Sequence, residues 1–412
     1  MSFPTGLLDG VRVIDLTKAT SGPFGTQILA DLGAEVLKIE EPPTGTHARD
    51  VIDAQNRIDD MDSYFLCVNR SKRSVAIKLG DPVGLELLYA LVAKADVVVN
   101  NFRPGVAKKL GVDYEALTKV NAKIILCELS AFGATGDYRF RAGFDISVQG
   151  QSGVTQFCQI KDEDGLPQAA PIPMADLVGG MYVAVAVPAA LHHRETTGRG
   201  CRIDIGMNDS LMTWMAGFGV QILNFPGTLK MDKAPRFWGT YATADKPLTI
   251  AATRRSQFER FCKVLGHPEW LSDARFADPK AREANFDTLS AMATEILRSK
   301  TAAEWIDLFD QAGLAYSEVL TPEEAFAHPQ TAARQMIVEV PAHNGESLKL
   351  LGNPIKVDGI QQSYVAPPHP GMHTREVLAS TLELPQHQLD ELQKAGVVHL
   401  ATESDAAAAM NS

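Results

Sequence analysis

The first part of the chain alternates short apolar runs with amphipathic stretches, a pattern typical of an α/β domain. Apolar and polar positions alternate over residues 11–16 and again over 35–39, and both runs predict strands. Residues 26–32 lie between them and predict a short amphipathic helix. A strand, a helix and a second strand in so short a span predict a βαβ unit with parallel strands.

Two glycines, Gly22 and Gly25, lie where the first predicted strand turns into the helix. Free backbone N–H groups at such a turn can face an anion or a ligand carbonyl. On spacing alone, a tight turn is the simpler interpretation, because Gly-x-x-Gly is not the GxGxxG dinucleotide fingerprint.

The same alternation continues to about residue 218. It predicts helices at 82–95, 176–193 and 209–218, and strands at 97–99, 124–127 and 202–206. Pro188 lies inside the longest of these helices, where a proline predicts a kink or a break. Domains of this class bind their ligands at the carboxyl ends of the strands.

The pattern changes at residues 224–235, which are rich in proline, glycine and charge. A hairpin at 241–251 follows, with helices at 256–265, 289–299 and 302–312. We therefore expect a large Rossmann-like domain over 1–226, completed by 328–412, and a smaller α+β domain over 227–327. Two domains also suit a chain of 412 residues.

Composition narrows the class of protein. The chain has 45% hydrophobic and 22% charged residues, as globular proteins do. It holds no run of eighteen apolar residues, so no membrane span is expected. The N-terminal sequence MSFPTGLLDG lacks the basic and apolar regions of a secretory signal. A net charge of -11 disfavours nucleic acid as a partner, although a local basic patch can still hold a phosphate.

Cysteine and histidine usage argues against a disulfide framework and against a metal. The five cysteines are scattered and form no CxxC pair, which indicates reduced thiols and a cytoplasmic location. The ten histidines show no HExxH or similar ligand spacing. We therefore expect no metal site.

Asp176 lies in the segment PMADLVGGMYVAVAV, directly ahead of an apolar run. One interpretation is a helix N-cap, whose carboxylate accepts hydrogen bonds from the first free N–H groups. The other is a nucleophilic carboxylate at a helix start. In that case Gly179 and Gly180 would admit a ligand close to the backbone and offer N–H groups to an oxyanion. Spacing alone does not choose between them.

Basic residues form four small clusters, and a solvated surface is the simplest interpretation of each. The clusters are Arg70/Lys72/Arg73, Arg103/Lys108/Lys109, Arg139/Arg141 and Arg254/Arg255. Arg103 is the most informative, because NNFRPG directly follows a predicted strand and lies at its carboxyl end.

Several segments together resemble the family III CoA-transferases, the CaiB/BaiF family of the formyl-CoA and carnitine-CoA transferase type. The principal segments are LLDGVRVIDLTKATSGPFGTQILADLGAEVLKIE, YFLCVNRSKRSVAIKL, VVNNFRPGVAKKLGVDYEAL, RAGFDISVQGQSGV, PMADLVGG, HRETTGRGCRIDIGMNDS and GMHTREVL. They follow the family's order from about residue 6 to 380. Each segment alone is modest evidence, and the ordered set is strong.

The resemblance implies roles for individual residues. The family's catalytic aspartate corresponds to Asp176. The expected coenzyme A site comprises Ala19, Thr20, Ile77, Asn101, Phe102, Arg103, Val106, Lys109 and Phe144. Arg49 and Arg141 are expected to contact either the phosphates of coenzyme A or the acid. The resemblance also implies ring-like chains interlocked as a homodimer.

The chain departs from the formyl-CoA transferases at several positions. Thr20 and Val51 stand where those enzymes have Gln and Trp, and Glu41 stands where the family has an arginine near the adenosine. The family's glycine-rich lid has no counterpart in FPGTLKMDKAP. Oxalate is therefore not the expected acceptor.

The expected reaction moves coenzyme A from an acyl-CoA to a free carboxylic acid through aspartyl anhydride and aspartyl-CoA thioester intermediates. It needs no tightly bound cofactor, and succinyl-CoA with a small dicarboxylate are the expected substrates. An α-methylacyl-CoA racemase of the same fold is the first alternative. Such racemases use a histidine where this chain has Phe144, and a phenyl ring cannot carry a proton. A coenzyme A-binding module without turnover is the other alternative, and it would not need Asp176.

Overall fold

The chain divides into two units. A computed structural model describes residues 3–42, 55–229 and 236–401. The first unit comprises Met1–Gly219 and Ala333–Ser412, and the second comprises Val220–Ala332. The smaller domain expected at 227–327 lies inside this second unit, which begins and ends a few residues further out.

The first unit is built on a seven-stranded sheet. The strands of the described residues are β1 (Arg12–Asp15), β2 (Glu35–Glu40), β3 (Arg57–Ile58), β4 (Met61–Asp62), β5 (Arg73–Ile77), β6 (Val97–Asn100), β7 (Ile125–Ser130), β8 (Arg202–Gly206), β9 (Phe237–Tyr241), β10 (Leu248–Ala252), β11 (Ala315–Glu318), β12 (Ile337–Pro341), β13 (Ser347–Leu351) and β14 (Val398–His399). The sheet runs in the order β14-β5-β2-β1-β6-β7-β8. The strands from β5 to β8 are parallel, and β14 is antiparallel to β5 at the edge. The expected α/β class with a parallel sheet is confirmed.

Helices cover both faces of this sheet. The α-helices of the described residues are α1 (Ser21–Asp31), α2 (Ser63–Val68), α3 (Pro82–Val92), α4 (Val106–Leu110), α5 (Tyr114–Val120), α6 (Asp145–Ser152), α7 (Val154–Cys158), α8 (Met174–Thr197), α9 (Met207–Thr213), α10 (Ala216–Asn224), α11 (Arg255–Val264), α12 (Pro279–Ala284), α13 (Phe286–Leu297), α14 (Ala302–Ala312), α15 (Pro322–Ala327), α16 (Pro329–Ala333), α17 (Thr374–Leu382) and α18 (Gln386–Lys394).

Successive strand residues point to opposite faces and so enter two separate cores. Ile14 and Val98 belong to the core that includes residues of α3, α5, α17 and α18. Val13 and Val97, one position earlier in each strand, belong to the core that includes residues of α1, α8 and α9. A parallel sheet buried on both faces requires apolar residues at successive strand positions, and β1 and β6 supply them at these positions.

The predicted βαβ unit is confirmed, with β1 parallel to β2 and α1 between them. Helix α1 begins at Ser21 rather than at residue 26. Of the two effects predicted for Pro188, the break is wrong, because α8 continues through it to Thr197, and the kink stays a prediction. Val183 and Val187 on the same helix are fully buried, and this packing offsets the hydrogen bond that the proline removes.

Helix α8 also accounts for the longest apolar stretch in the sequence. Among the described helices, it is the one whose length and mean hydropathy would suit a membrane span. Its apolar residues Ala175, Val178, Val183 and Val187 lie in a buried core. The packing of the core therefore explains the apolar residues on its buried side.

The second unit has a small antiparallel sheet and an aromatic core. Strands β9 and β10 form the hairpin expected near residues 241–251, and β11 pairs with β10. Phe237 lies within van der Waals reach of the rings of Phe261 and Phe286, with centroids 4.6 and 5.3 Å away. This unit therefore has a hydrophobic core of its own.

Candidate active site

A cavity of about 640 Å³ lies in the first unit at the carboxyl ends of the parallel strands. The loops after β1, β6 and β7 form its walls, and Asp176 at the start of α8 lies among them. The described residues that line it are Lys18, Ala19, Ser21, Asn101, Phe102, Arg103, Pro104, Val106, Leu129, Ser130, Ala131, Phe132, Arg139, Arg141, Gly143, Phe144, Asp176 and Met207. We call this space the Asp176 cavity.

The buried carboxylate of Asp15 stabilises the loop after β1. Asp15, at the end of β1, accepts hydrogen bonds from the backbone N–H of Thr17 at 2.8 Å and from the hydroxyl of Thr26 at 2.7 Å. The ammonium group of Lys72 lies 3.0 Å from the same carboxylate, and both side chains are fully buried. Burial raises the pKa of Asp15, but the charges of Lys72 and Lys38 and the threonine hydroxyls outweigh it, so the pKa lies well below its usual range.

Asn101, which directly follows the neighbouring strand β6, also holds this loop. The Asn101 side chain accepts a hydrogen bond from the N–H of Lys18 and donates one to its carbonyl, each at 2.8 Å. Ala19 then adopts φ of 58°, a left-handed conformation that few non-glycine residues take. The loop is therefore a rigid wall of the cavity.

Asp176 is the third residue of α8, and the helix N-cap is Pro173. The N-cap interpretation of Asp176 is therefore wrong. Asp145, the first residue of α6, meets the free N–H groups of α8 instead. Its Oδ1 accepts hydrogen bonds from the N–H groups of Ala175 at 2.7 Å and Asp176 at 3.3 Å. The carboxylate of Asp176 is thereby left for other partners.

The environment of Asp176 favours its neutral form. Burial raises the pKa of its carboxyl to about 7, the neighbouring charge of Asp145 acts in the same direction, and a hydrogen bond with Ser21 lowers it. A carboxylate in such an environment is more basic than an ordinary aspartate, and this is a common property of reacting groups.

Glycines bring the start of α1 close to α8. A Cβ atom on Gly180 would lie 2.5 Å from the carbonyl oxygen of Ser21, and one on Gly25 would lie 2.6 Å from the carbonyl oxygen of Gly180. Only glycine permits this approach, which places Ser21 beside Asp176.

The oxyanion role expected of Gly179 and Gly180 needs correction. They are the sixth and seventh residues of α8, beyond the four N–H groups that a helix leaves free at its start. Neither lines the Asp176 cavity, and a Cβ on Gly179 would meet the side chains of Met207 and Leu129. Both glycines serve packing instead.

The structure brings most of the predicted ligand-contacting residues together. Asp176 shares the cavity with Ala19, Asn101, Phe102, Arg103, Val106, Arg141 and Phe144. Phe144 is 73% exposed, and the aromatic rings of Phe102 and Phe132 line the same space.

Other predicted residues lie elsewhere. Ile77 is fully buried in the core beneath the sheet, so the expectation that its side chain lines the site is wrong. Lys109 is exposed in the last turn of α4, and Thr20 precedes the first residue of α1; neither lines the cavity. Arg49 and Val51 fall outside the described residues.

Four cations surround the cavity: Lys18, Arg103, Arg139 and Arg141. Within the described residues, none of them forms an ion pair. The guanidinium of Arg139 lies 4.5 Å from the ring centroid of Phe140, and that of Arg141 lies 4.7 Å from that of Tyr138. A cluster of cations of this kind suits an anionic ligand such as a phosphate or a carboxylate.

Some residues at the site had only a general signal in the sequence, or none. Lys18 and Ser21 flank the turn after β1, where the strand-end rule indicated a ligand site in general but no particular side chain. Arg139 belonged to a basic pair that a surface explained equally well. Asp145 lies thirty residues before Ala175 and meets it only through the tertiary fold.

The described residues contain no group of three or more His, Cys, Asp and Glu side chains that could hold a metal ion. All five cysteines are free. Burial raises the pKa of the Cys127 and Cys262 thiols to about 12, so neither is a thiolate at neutral pH.

Comparison with known proteins gives one consistent family. The family described as CoA-transferase family III matches residues 8–374. The chain is 35% identical to the acetyl-CoA:oxalate CoA-transferase of Acetobacter aceti over 89% of this chain and 93% of that protein. It is 30% identical to the succinyl-CoA:glutarate CoA-transferase of Mus musculus over 95% and 90% of the two chains. The crystal structure of Rv3272 from M. tuberculosis is similar, with a TM-score of 0.81, 31% identity and coverage of 90% of this chain and 99% of that one.

Proposed function

Because the chain belongs to CoA-transferase family III, we propose that it transfers coenzyme A from an acyl-CoA to a free carboxylic acid through covalent intermediates on Asp176. The position of the Asp176 carboxyl carries the proposal, because it lies at the start of α8 in a cavity that four cations line. Its pKa is raised to about 7, so its carboxylate is more basic than that of an ordinary aspartate. The second unit takes no part in the geometry on which this proposal rests.

The first half of the reaction exchanges the donor acid for Asp176. The ionised carboxylate attacks the thioester carbonyl, the C–S bond breaks, and coenzyme A leaves as a thiolate. The product is a mixed anhydride between the acyl group and Asp176. The thiolate then attacks the aspartyl carbonyl, the donor leaves as a carboxylate, and a β-aspartyl-CoA thioester remains.

The second half repeats these steps with the acceptor. Its carboxylate attacks the aspartyl thioester and expels the thiolate, which then attacks the acceptor carbonyl of the new anhydride. The new acyl-CoA leaves and the Asp176 carboxylate is restored. Each step exchanges bonds of similar reactivity, so covalent catalysis replaces one difficult exchange by four easier ones.

We assign the stabilisation of the tetrahedral oxyanions to the start of α1. Ser21 and Gly22 are its first two residues, so their N–H groups have no partner inside the helix. Ser21 lines the cavity and hydrogen-bonds to Asp176, which brings these donors and the positive end of the helix dipole near the reacting carbonyl.

The cations support the binding of coenzyme A and of the acid. Arg103, Arg139, Arg141 and Lys18 can meet phosphates and carboxylates, and a second cavity of about 500 Å³ shares Phe102 and Arg139 with the first, leaving room for a long ligand. Succinyl-CoA and a small dicarboxylate are the substrates we propose. The relatives include acetyl-CoA:oxalate and succinyl-CoA:glutarate CoA-transferases, and the acids in these names set the range to be screened.

The test uses heavy oxygen. With an acceptor labelled with ¹⁸O in its carboxylate, the mechanism leaves one heavy oxygen on Asp176 after each turnover, and peptide mapping locates it. Asp176→Ala should abolish transfer and labelling. Asp164→Ala, a change at an exposed aspartate outside the cavity, should alter neither. Transfer that persists in the Asp176→Ala protein would refute the proposal.

A racemase acting on 2-methylacyl-CoA is the second candidate, because a pKa of about 7 suits Asp176 for proton transfer at neutral pH. A racemase needs a second base on the opposite face of the α-carbon. Position 144 carries a phenyl ring, and Asp145 beside it accepts hydrogen bonds from α8. In deuterium oxide, we expect the substrate to keep its α-proton; uptake of deuterium without an acceptor acid would favour the racemase.

We further propose that two chains interlock as a homodimer of ring-like protomers and that the enzyme works in the cytoplasm. Exposed apolar side chains on α8 and just after α9, among them Val185 and Trp214 at 64% and 51% exposed, support a partner chain there. The five free cysteines support a reducing compartment. A folded monomer in light scattering would contradict the first proposal, and recovery outside the soluble cytoplasmic fraction would contradict the second.

A further inference from the structure

Asp145 serves a helix to which it does not belong. It is the first residue of α6, yet its Oδ1 accepts hydrogen bonds from the N–H groups of Ala175 and Asp176 in the first turn of α8. The N-cap of α8 is Pro173, whose side chain has no oxygen to accept them. A carboxylate from another element therefore fills the place of a capping side chain and meets the positive end of the helix.

The other oxygen of Asp145 is also held. Its Oδ2 accepts a hydrogen bond of 2.6 Å from the side-chain amide of Gln149, which is completely buried. The amide oxygen of Gln149 in turn accepts a hydrogen bond of 2.9 Å from the N–H of Ala170, in the segment that leads into α8. Asp145 is thus fixed at both oxygens, and the segment before Asp176 is fixed with it.

This arrangement has two effects on Asp176. Because Asp145 meets the free N–H groups of α8, the carboxyl of Asp176 makes no capping bond and remains available to the cavity. The negative charge of Asp145 also lies close to it and raises the free energy of ionised Asp176. The other charged groups around the cavity are the cations Lys18, Arg103, Arg139 and Arg141.

We propose that Asp145 is a positioning residue which orients Asp176 and, through its charge, favours the neutral covalent intermediates over the free carboxylate. In an anhydride or a thioester, Asp176 carries no charge, so its acylation removes the repulsion between the two side chains. The inference rests on the proposed function, since only an acylated Asp176 gains in this way.

The decisive variant is Asp145→Asn, which keeps an oxygen for the N–H groups of Ala175 and Asp176 but removes the charge. The first readout is the pKa of Asp176 in the free enzyme, measured by NMR of protein labelled with ¹³C at its aspartate carboxyl groups. The Asp176→Asn protein assigns the resonance. We expect the pKa of Asp176 to fall and the acid limb of the rate profile to move to lower pH.

The second readout is the fraction of enzyme trapped as the aspartyl-CoA adduct by quenching after equilibration with the donor acyl-CoA and its free acid, without an acceptor. The ratio of adduct to free carboxylate should fall about tenfold for each unit by which the pKa of Asp176 falls. The matched control is Gln149→Leu, which removes the hydrogen bonds of Gln149 with Asp145 and with Ala170 and keeps the charge of Asp145. In the Gln149→Leu protein, the pKa of Asp176 should stay raised, and the ratio of adduct to free carboxylate should stay near that of the wild type.

An unchanged pKa of Asp176 in Asp145→Asn would overturn the inference and leave Asp145 a structural cap. So would a lowered pKa with an unchanged adduct ratio. Failure of the proposed function gives a different result, because the wild type itself would then form no adduct at Asp176.

Discussion

Replacing Asp176 with asparagine should abolish transfer and at the same time stabilise the folded protein. Burial, with the charge of Asp145, raises the pKa of Asp176 from 3.8 to about 7. One pKa unit corresponds to about 1.4 kcal/mol, so above pH 7 the ionised carboxylate costs the folded state roughly 4 kcal/mol. The asparagine side chain keeps a similar shape without that cost. Catalytic groups held in unfavourable surroundings commonly show this opposition between stability and activity.

The sign of the effect sets its pH dependence. Between about pH 4 and 7 the folded protein holds the proton on Asp176 while the unfolded chain has lost it, so the stability of the wild type declines as pH rises through this window. Asp176→Asn does not titrate there. Its advantage over the wild type should therefore be small near pH 4 and reach its full size near pH 8.

Urea unfolding of both proteins at pH 5 and pH 8 measures this difference. The control is Glu86→Gln, which removes a carboxylate exposed on α3 and should leave the stability almost unchanged at both pH values. The reasoning is refuted if Asp176→Asn is no more stable than the wild type at pH 8. It is equally refuted if the gain is the same at both pH values.

Three further changes test other parts of the site. The value of kcat/KM should decline about tenfold per pH unit below an apparent pKa near 7, because protonated Asp176 is not a nucleophile; a flat profile down to pH 5 would contradict this. Gly180→Ala should destabilise the protein by about 1–3 kcal/mol in thermal unfolding, because its Cβ would meet the carbonyl of Ser21. The control is Gly150→Ala on α6, where the added Cβ meets open space, and this change should be neutral or stabilising. Arg141→Met should raise KM for the acyl-CoA or the acid about tenfold, and Arg199→Met, at an exposed position outside the cavity, should leave both KM values unchanged.

The parallel sheet could be predicted because its signal is local. The inner strands bury both faces, so successive residues are apolar within them, as at Val13 and Ile14 in β1 and at residues 97–99 in β6. The predicted start of α1 at residue 26 is too late, because Gly22, Pro23 and Gly25 have low helix propensity and hid the first turns of the helix. The structure explains them: proline in the first turn needs no N–H partner, and the glycines admit α8.

The site could be predicted only in part. Asp176 and the loop around Arg103 follow from the resemblance and from their place at strand or helix ends. The bond between Asp145 and α8 joins residues that are far apart in sequence, and no periodicity reports it. Ile77 was expected at the ligand site from the resemblance alone. The resemblance does not show on which face of β5 its side chain lies, and the structure places that side chain in the core. Side-chain direction is decided by the packing of the sheet.

The interrupted first unit affects how the protein is made. The chain leaves this unit after Gly219 and returns at Ala333, and β14 pairs with β5 only after residue 398 has been synthesised. At about 5–20 residues per second, the β5 edge stays without its neighbour for roughly 15–60 s on the ribosome. An uncovered edge can pair with strands of other nascent chains, so aggregation is a risk during this interval. All of the described residues that line the Asp176 cavity have been made by residue 207. A nascent chain stalled near residue 330 should nevertheless be inactive and sensitive to protease, and should need chaperone protection until its last strand emerges.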